Sequence, residues 1–223
     1  MGKTTLAEEL ISNESRVVVL DTMGGYGKKA EVVWGRDECI RRLLDASRER
    51  RFRIACRVIE QDDMLDILDM AWELEDYLLV IEETSLVCGT PPYLNRQLGV
   101  LVRYGRHRRI SQIYIARRPT EIPRDLTAQS DLIVTFHQKE PRDLQYLQAC
   151  GFNPAEVVQL RNDLPGRGTV AVVGGDQGVI PLPILKRMHQ QRLAFQPVQQ
   201  PLLTDDEEAA TPPIDEPEPA SEG

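Results

Sequence analysis

No stretch of this chain approaches the ~18 consecutive apolar residues that a membrane-spanning helix requires. Its opening residues, MGKTTLAEEL, hold no apolar core of the kind a secretory signal needs. Leu6 occupies the position where N-myristoylation calls for Ser or Thr, so Gly2 is not read as an acylation site. The four cysteines (Cys39, Cys56, Cys88 and Cys150) include no CxxC pair, and the histidines (His107, His137 and His189) are scattered. This spacing argues against a zinc-type site and against a disulfide framework. It reads as reduced core thiols in a cytoplasmic protein. No internal repeat is present, which sets solenoid architectures aside.

What is present suits one soluble domain. Of 223 residues, 41% are hydrophobic and 28% are charged. The net charge of −8 is located almost entirely in residues 193–223, which carry eight acids, six of the 15 prolines and no Lys or Arg. Without that segment 27 acids face 27 bases, so the body is neutral. A stretch so acidic and so poor in large apolar residues cannot offset its ordering entropy. It is expected to be a disordered tail, dispensable for folding, behind a folded domain spanning residues 1–192.

Within the body, short apolar runs alternate with helical patterns. Runs at Val17–Leu20, Phe52–Val58, Tyr77–Ile81, Gln112–Ala116, Leu132–Phe136 and Thr169–Val173 are continuously apolar, as strands buried on both faces are. Helical spacing appears at Lys3–Ser12, Arg36–Arg48, Asp62–Glu75, Tyr93–Arg106 and Glu140–Ala149. The prediction is an α/β fold, a mostly parallel sheet flanked by helices.

Two motifs carry chemistry. Gly2-Lys3-Thr4-Thr5 followed by a helical pattern matches the second half of a phosphate-binding loop, G-x-x-x-x-G-K-[ST]. Glycine makes room for the phosphates, the lysine reaches the β and γ oxygens, and the hydroxyl of Thr4 ligates Mg²⁺. The first glycine, three further loop residues and the strand feeding them would precede Met1. Either the start is assigned at an internal methionine or the chain is a remnant, and the later motifs favour the former. That strand is expected in the middle of the sheet, beside the strand that carries the acids. Without it, ATP binding should be weak. The second motif, Leu78-Leu79-Val80-Ile81-Glu82-Glu83, is a buried-strand pattern ending in two carboxylates. Acids also mark strand ends that simply meet solvent. Paired with GKTT, however, Glu82 fits a Mg²⁺ ligand and Glu83 the group that polarises the attacking water. Glu82 stands where Asp is usual, so its longer side chain must be accommodated.

A third stretch runs from the basic helix end Arg103-Tyr104-Gly105-Arg106-His107-Arg108-Arg109 through a strand to Arg117-Arg118-Pro119, then to Asp131-Leu132-Ile133-Val134. Together with the turn Leu20-Asp21-Thr22-Met23-Gly24-Gly25-Tyr26, it resembles the FtsK–HerA superfamily of DNA-pumping and packaging ATPases. The phage members and the zonula occludens toxin-like ATPases are the nearest in character. The resemblance extends from Met1 to about Leu147 and implies a P-loop, RecA-like fold binding ATP and Mg²⁺. It places Arg117 where the family carries a polar γ-phosphate sensor, and Arg118-Pro119 on the family's Arg-Pro. It implies assembly into a ring, in which Arg106 would be the arginine finger offered to a neighbouring subunit.

The function so implied is an ATP-hydrolysing motor that moves DNA, in packaging or phage assembly. Its partners would be DNA, further copies of itself and virion or portal proteins, within the host cytoplasm if phage-encoded. Two alternatives stand beside it: a toxin-like assembly or export ATPase acting on protein at a membrane, and a non-hydrolysing truncated remnant.

Overall fold

The computed structural model describes residues 3–89, 93–160, 170–173 and 176–178, the last two stretches as backbone only. Gly2 and the acidic segment 193–223 lie outside the described residues.

Five parallel strands form the main sheet: β1 (Arg16–Leu20), β2 (Glu31–Trp34), β3 (Phe52–Arg57), β4 (Tyr77–Ile81) and β5 (Ile110–Tyr114), in the order β2-β3-β1-β4-β5. The helices are α1 (Lys3–Leu10), α2 (Arg36–Ala46), α3 (Gln61–Trp72), α4 (Arg96–Tyr104), α5 (Arg124–Ala128), α6 (Pro141–Ala149) and α7 (Pro154–Gln159). The α/β class and the helix-flanked parallel sheet are as expected. Alternate side chains of the central strands feed two layers. Val18, Leu20, Ile54, Cys56, Leu79 and Ile81 pack with Leu43, Met64, Ile67, Leu68, Leu98 and Leu101 of α2, α3 and α4. Val17, Val19, Leu78 and Val80 pack with Ala7 and Ile11 and with Tyr26. All five residues of β4 are buried, which explains its unbroken apolar sequence.

The helices begin where the sequence supplies capping chemistry. Asp37 and Glu38 open α2, and Asp62 and Asp63 open α3, each favoured by the helix dipole. Asn95 caps α4, its side-chain oxygen accepting the Leu98 N–H at 2.9 Å. Cys39, Cys56 and Cys88 are buried free thiols, and Cys150 is half-buried and free.

Three expectations need correction. The strand β2 was not foreseen, because Glu31-Val32-Val33-Trp34 carries a charge at one end and is at most half-buried. The run around Leu132 does not extend the parallel sheet. Strand β6 (Leu132–Thr135) pairs antiparallel with β7 (Val170–Val173), which pairs antiparallel with β8 (Asp176–Gly178). The expected gap beside the acid-ending strand is also absent, since β4 is paired with β1 on one side and β5 on the other. Among the described residues β5 is an outer strand of its sheet. Helix α1 reaches both sheets: Ala7, with Ile11 of the turn that follows, joins the main-sheet core, while Leu6 packs against Leu132, Val134 and Phe136.

Candidate functional site

Parallel strands bring their carboxyl ends to one edge of the sheet. Asp21 follows β1 there, Glu82 and Glu83 follow β4, and Ile115 to Arg118 follow β5. Helix α1 delivers its first turn to the same edge. The hydroxyl of Thr4 donates to Glu82 Oε1 at 2.6 Å, across 78 residues of sequence. The second carboxylate oxygen, Oε2, accepts from the Tyr26 hydroxyl at 2.8 Å. Glu82 is only 6% exposed, so these two donors replace the water it gives up. The longer side chain is thereby accommodated, one hydroxyl to each oxygen. Burial, and then the negative charge of Glu82, push the ionisation of Tyr26 far above its ordinary value, so Tyr26 remains a donor throughout the physiological range.

Sequence reasoning missed Tyr26. The only local signal is its place directly after Gly24-Gly25 in the acidic turn. Removing its hydroxyl by Tyr26→Phe is expected to cost about 1–3 kcal/mol, because a buried carboxylate oxygen loses its partner. Thermal unfolding measures this, and a midpoint equal to wild type would show that Oε2 has another donor.

The turn itself is built around Asp21, which is fully buried. Its carboxylate accepts from the backbone N–H groups of Gly24 (2.7 Å), Gly25 (3.0 Å) and Tyr26 (3.4 Å), and from Arg57 Nη2 at 2.9 Å. Arg57 in turn stacks on the Trp34 ring, 4.6 Å from its centroid. Two glycines are required here. Gly24 has φ +80°, and a Cβ on it would press on the Arg57 guanidinium. A Cβ on Gly25 would lie 2.8 Å from Cγ2 of Thr4. The acidic turn thus packs directly against the hydroxyl residue of α1.

Glu83 has left-handed backbone geometry, φ 57° and ψ 56°, which is uncommon for a residue with a side chain. The loop that imposes it is tied to β5. The Thr84 N–H donates to Ile115 O at 2.7 Å, and the Ile115 N–H donates to Ile81 O at 3.0 Å. These bonds set Glu83 beside Arg117, whose Nε donates to Glu83 Oε1 at 2.9 Å. Ser85 Oγ donates to the same oxygen at 3.2 Å. The Arg117 side chain is 67% exposed, against 14% for Glu83. The next residue, Arg118, points elsewhere. Its Nε donates to Asp143 Oδ2 at 3.0 Å while Thr120 donates to Oδ1 at 2.7 Å, pinning the Arg-Pro turn to α6.

Thr4, Glu82, Glu83 and Arg117 therefore converge. Lys3 opens α1 half-buried and Thr5 is exposed. Arg106 is not brought to this edge. It lies in the short turn Gly105–Arg108 that precedes β5, at the opposite, amino edge, about 15 Å away along a five-residue strand. Its basic neighbours are engaged locally: Arg103 with Asp125, Arg108 with Glu75 and the Trp72 ring, Arg109 with Glu75 and Asp76, and Arg124 over the Tyr146 ring. Arg106 is exposed and forms no ion pair among the described residues.

The described residues contain no cluster of three or more His, Cys, Asp or Glu side chains able to hold a metal. The hydroxyl and carboxylate of Thr4 and Glu82 suit Mg²⁺, a hard cation that takes one or two protein oxygens and completes its shell with water and substrate phosphates. Among the described residues, no helix is long and apolar enough to cross a membrane.

Solved structures share this fold. The genome packaging NTPase B204 from Sulfolobus turreted icosahedral virus 2, in complex with ATP-gammaS, aligns with a TM-score of 0.63 at 14% identity, covering 81% of this chain and 90% of that one. Its complex with AMP gives 0.64 at 13% identity, covering 81% and 92%. The DNA-packaging ATPase B204 from Sulfolobus Turreted Icosahedral Virus gives 0.56 at 14% identity, covering 79% and 85%. No protein-family model matches the chain. No curated protein matches it either.

Proposed function

We propose that this protein is a Mg²⁺-dependent ATPase of the FtsK–HerA type that drives DNA translocation or packaging. The observation that carries the reading is the 2.6 Å contact between Thr4 and Glu82, which joins the Lys3-Thr4 start of α1 to the strand-end acids at one sheet edge. Its fold is that of viral packaging NTPases solved with ATP-gammaS and AMP, which supports the same chemistry here.

In this reading the backbone N–H groups at the start of α1 and the Lys3 ammonium hold the β and γ phosphates. Thr4 and Glu82 would hold Mg²⁺, which when bound neutralises charge on those phosphates. A water attacks the γ-phosphorus in line, the bond to the bridging oxygen of ADP breaks, and the water's proton passes to the Glu83 carboxylate. Arg117 meets the γ-phosphate as its sensor. Arg106, remote from its own site, would serve a neighbouring subunit in a ring, with DNA and virion or portal proteins as further partners.

The test is ATP hydrolysis by the protein with and without duplex DNA. Turnover should require Mg²⁺ and rise on adding DNA, more so at low salt. Lys3→Ala should weaken ATP binding by roughly 10- to 100-fold, the worth of a charged contact to phosphate. Hydrolysis indifferent to DNA would remove the motor reading and leave the ATPase. No ATP binding by the wild-type protein would remove both.

A further inference from the structure

We propose that Glu83 and the γ-phosphate of ATP compete for Arg117, so that the arginine clamps the carboxylate aside and releases it when the phosphate arrives. This rests on the ATPase reading, and it joins two residues to which that reading gives separate tasks. The observation behind it is the shared ion pair. Arg117 Nε and Ser85 Oγ both donate to Glu83 Oε1. The backbone holds the two side chains in register through the Thr84–Ile115 and Ile115–Ile81 bonds, so the pairing is built into the ends of β4 and β5.

The magnitudes favour release. Arg117 is two-thirds exposed, so solvent screens its bond to the largely buried Glu83 carboxylate from one side and keeps it modest. A γ-phosphate offers more charge and two oxygens to the guanidinium fork, a stronger bidentate partner. Changing partners costs Arg117 no other ion pair, since Glu83 is its one charged contact among the described residues. Arg117 therefore acts on water activation through Glu83, as a positioning residue, besides touching the phosphate.

The experiment is a two-residue cycle read as ATP and ADP affinity in Mg²⁺, using wild type, Glu83→Gln, Arg117→Gln and the double variant. If Glu83 holds Arg117 away from the phosphate, Glu83→Gln should tighten ATP by about fivefold relative to ADP, the weight of an exposed ion pair. In the Arg117→Gln background the same change should do much less. Arg117→Lys, which keeps charge without the fork, should retain part of the coupling. Equal tightening in both backgrounds would be simple repulsion between Glu83 and phosphate, and would overturn the clamp. So would no tightening in either. Absence of ATP binding by the wild type would instead overturn the ATPase reading on which the clamp stands.

Discussion

Glu83→Gln should lower ATP turnover by about 10²–10⁴-fold while Mg-ATP binding is kept, tightened by the few-fold that freeing Arg117 allows. Glutamine keeps the size of the side chain and can still accept a hydrogen bond, but it cannot take the proton of the attacking water. The structure makes this a clean substitution, because Glu83 bears no part of the core. Its side-chain contacts are the exposed Arg117 and the half-buried Ser85. Single-turnover hydrolysis, measured beside equilibrium binding, separates the chemical step from affinity. The comparison that decides the roles is Glu82→Gln. Glu82 is buried and engaged by Thr4 and Tyr26, so its loss should act through Mg²⁺ dependence and stability. Normal turnover in Glu83→Gln with none in Glu82→Gln would reverse the two assignments.

A comparably large effect on folding is expected at Asp21. Asp21→Ala leaves three N–H groups of the turn and the Arg57 guanidinium without their common acceptor. Breaking a buried charge pair on one side costs about 3–5 kcal/mol. For a domain of this size that corresponds to a fall of roughly 10 °C in the unfolding midpoint. Asp21→Asn should cost less, since its remaining carbonyl oxygen still accepts from the turn and only the charge on Arg57 goes unmatched. If both variants unfold within a degree or two of wild type, the turn is held by something other than this carboxylate. The alanine variant should also lose nucleotide affinity, because Gly25 packs on Thr4 and Tyr26 on Glu82.

The sheet and most of its strands were legible because burial on both faces leaves a continuous apolar trace, as in Tyr77–Ile81. The strand Glu31–Trp34, outermost on its side among the described residues, leaves no such trace, its residues being half-buried or exposed. The placement of Leu132–Thr135 could not be read either, because an apolar run does not say which sheet it joins or in which direction. Of the site, the side chains that stand in local motifs (Lys3, Thr4, Glu82, Glu83) were legible as candidates. What was not legible is how they are held. Tyr26 meets Glu82 across 56 residues, and Arg57 meets Asp21 across 36. Neither pairing has any signature of spacing. Arg117 stood by resemblance at a sensor position, but its partner Glu83 appears only when β4 and β5 lie side by side. Arg106, expected to serve a neighbouring subunit rather than its own site, stands in the turn before β5, at the far edge from Glu83.

The position of β4 has a further consequence for how the edge breathes. Hydrogen-bonded to a neighbour on both sides and buried throughout, its amides should exchange with solvent only on global unfolding. Strand β5, half-buried over most of its length and an outer strand among the described residues, should exchange through smaller openings. The two acids therefore stand on the slowest-exchanging part of the chain and Arg117 on a faster one. A fluctuation that frees the end of β5 would carry the arginine away while Glu82 and Glu83 keep their places. Deuterium uptake resolved at Leu79–Ile81 and at Ile113–Ile115 would show a stiff strand lying beside a pliant one at the same sheet edge.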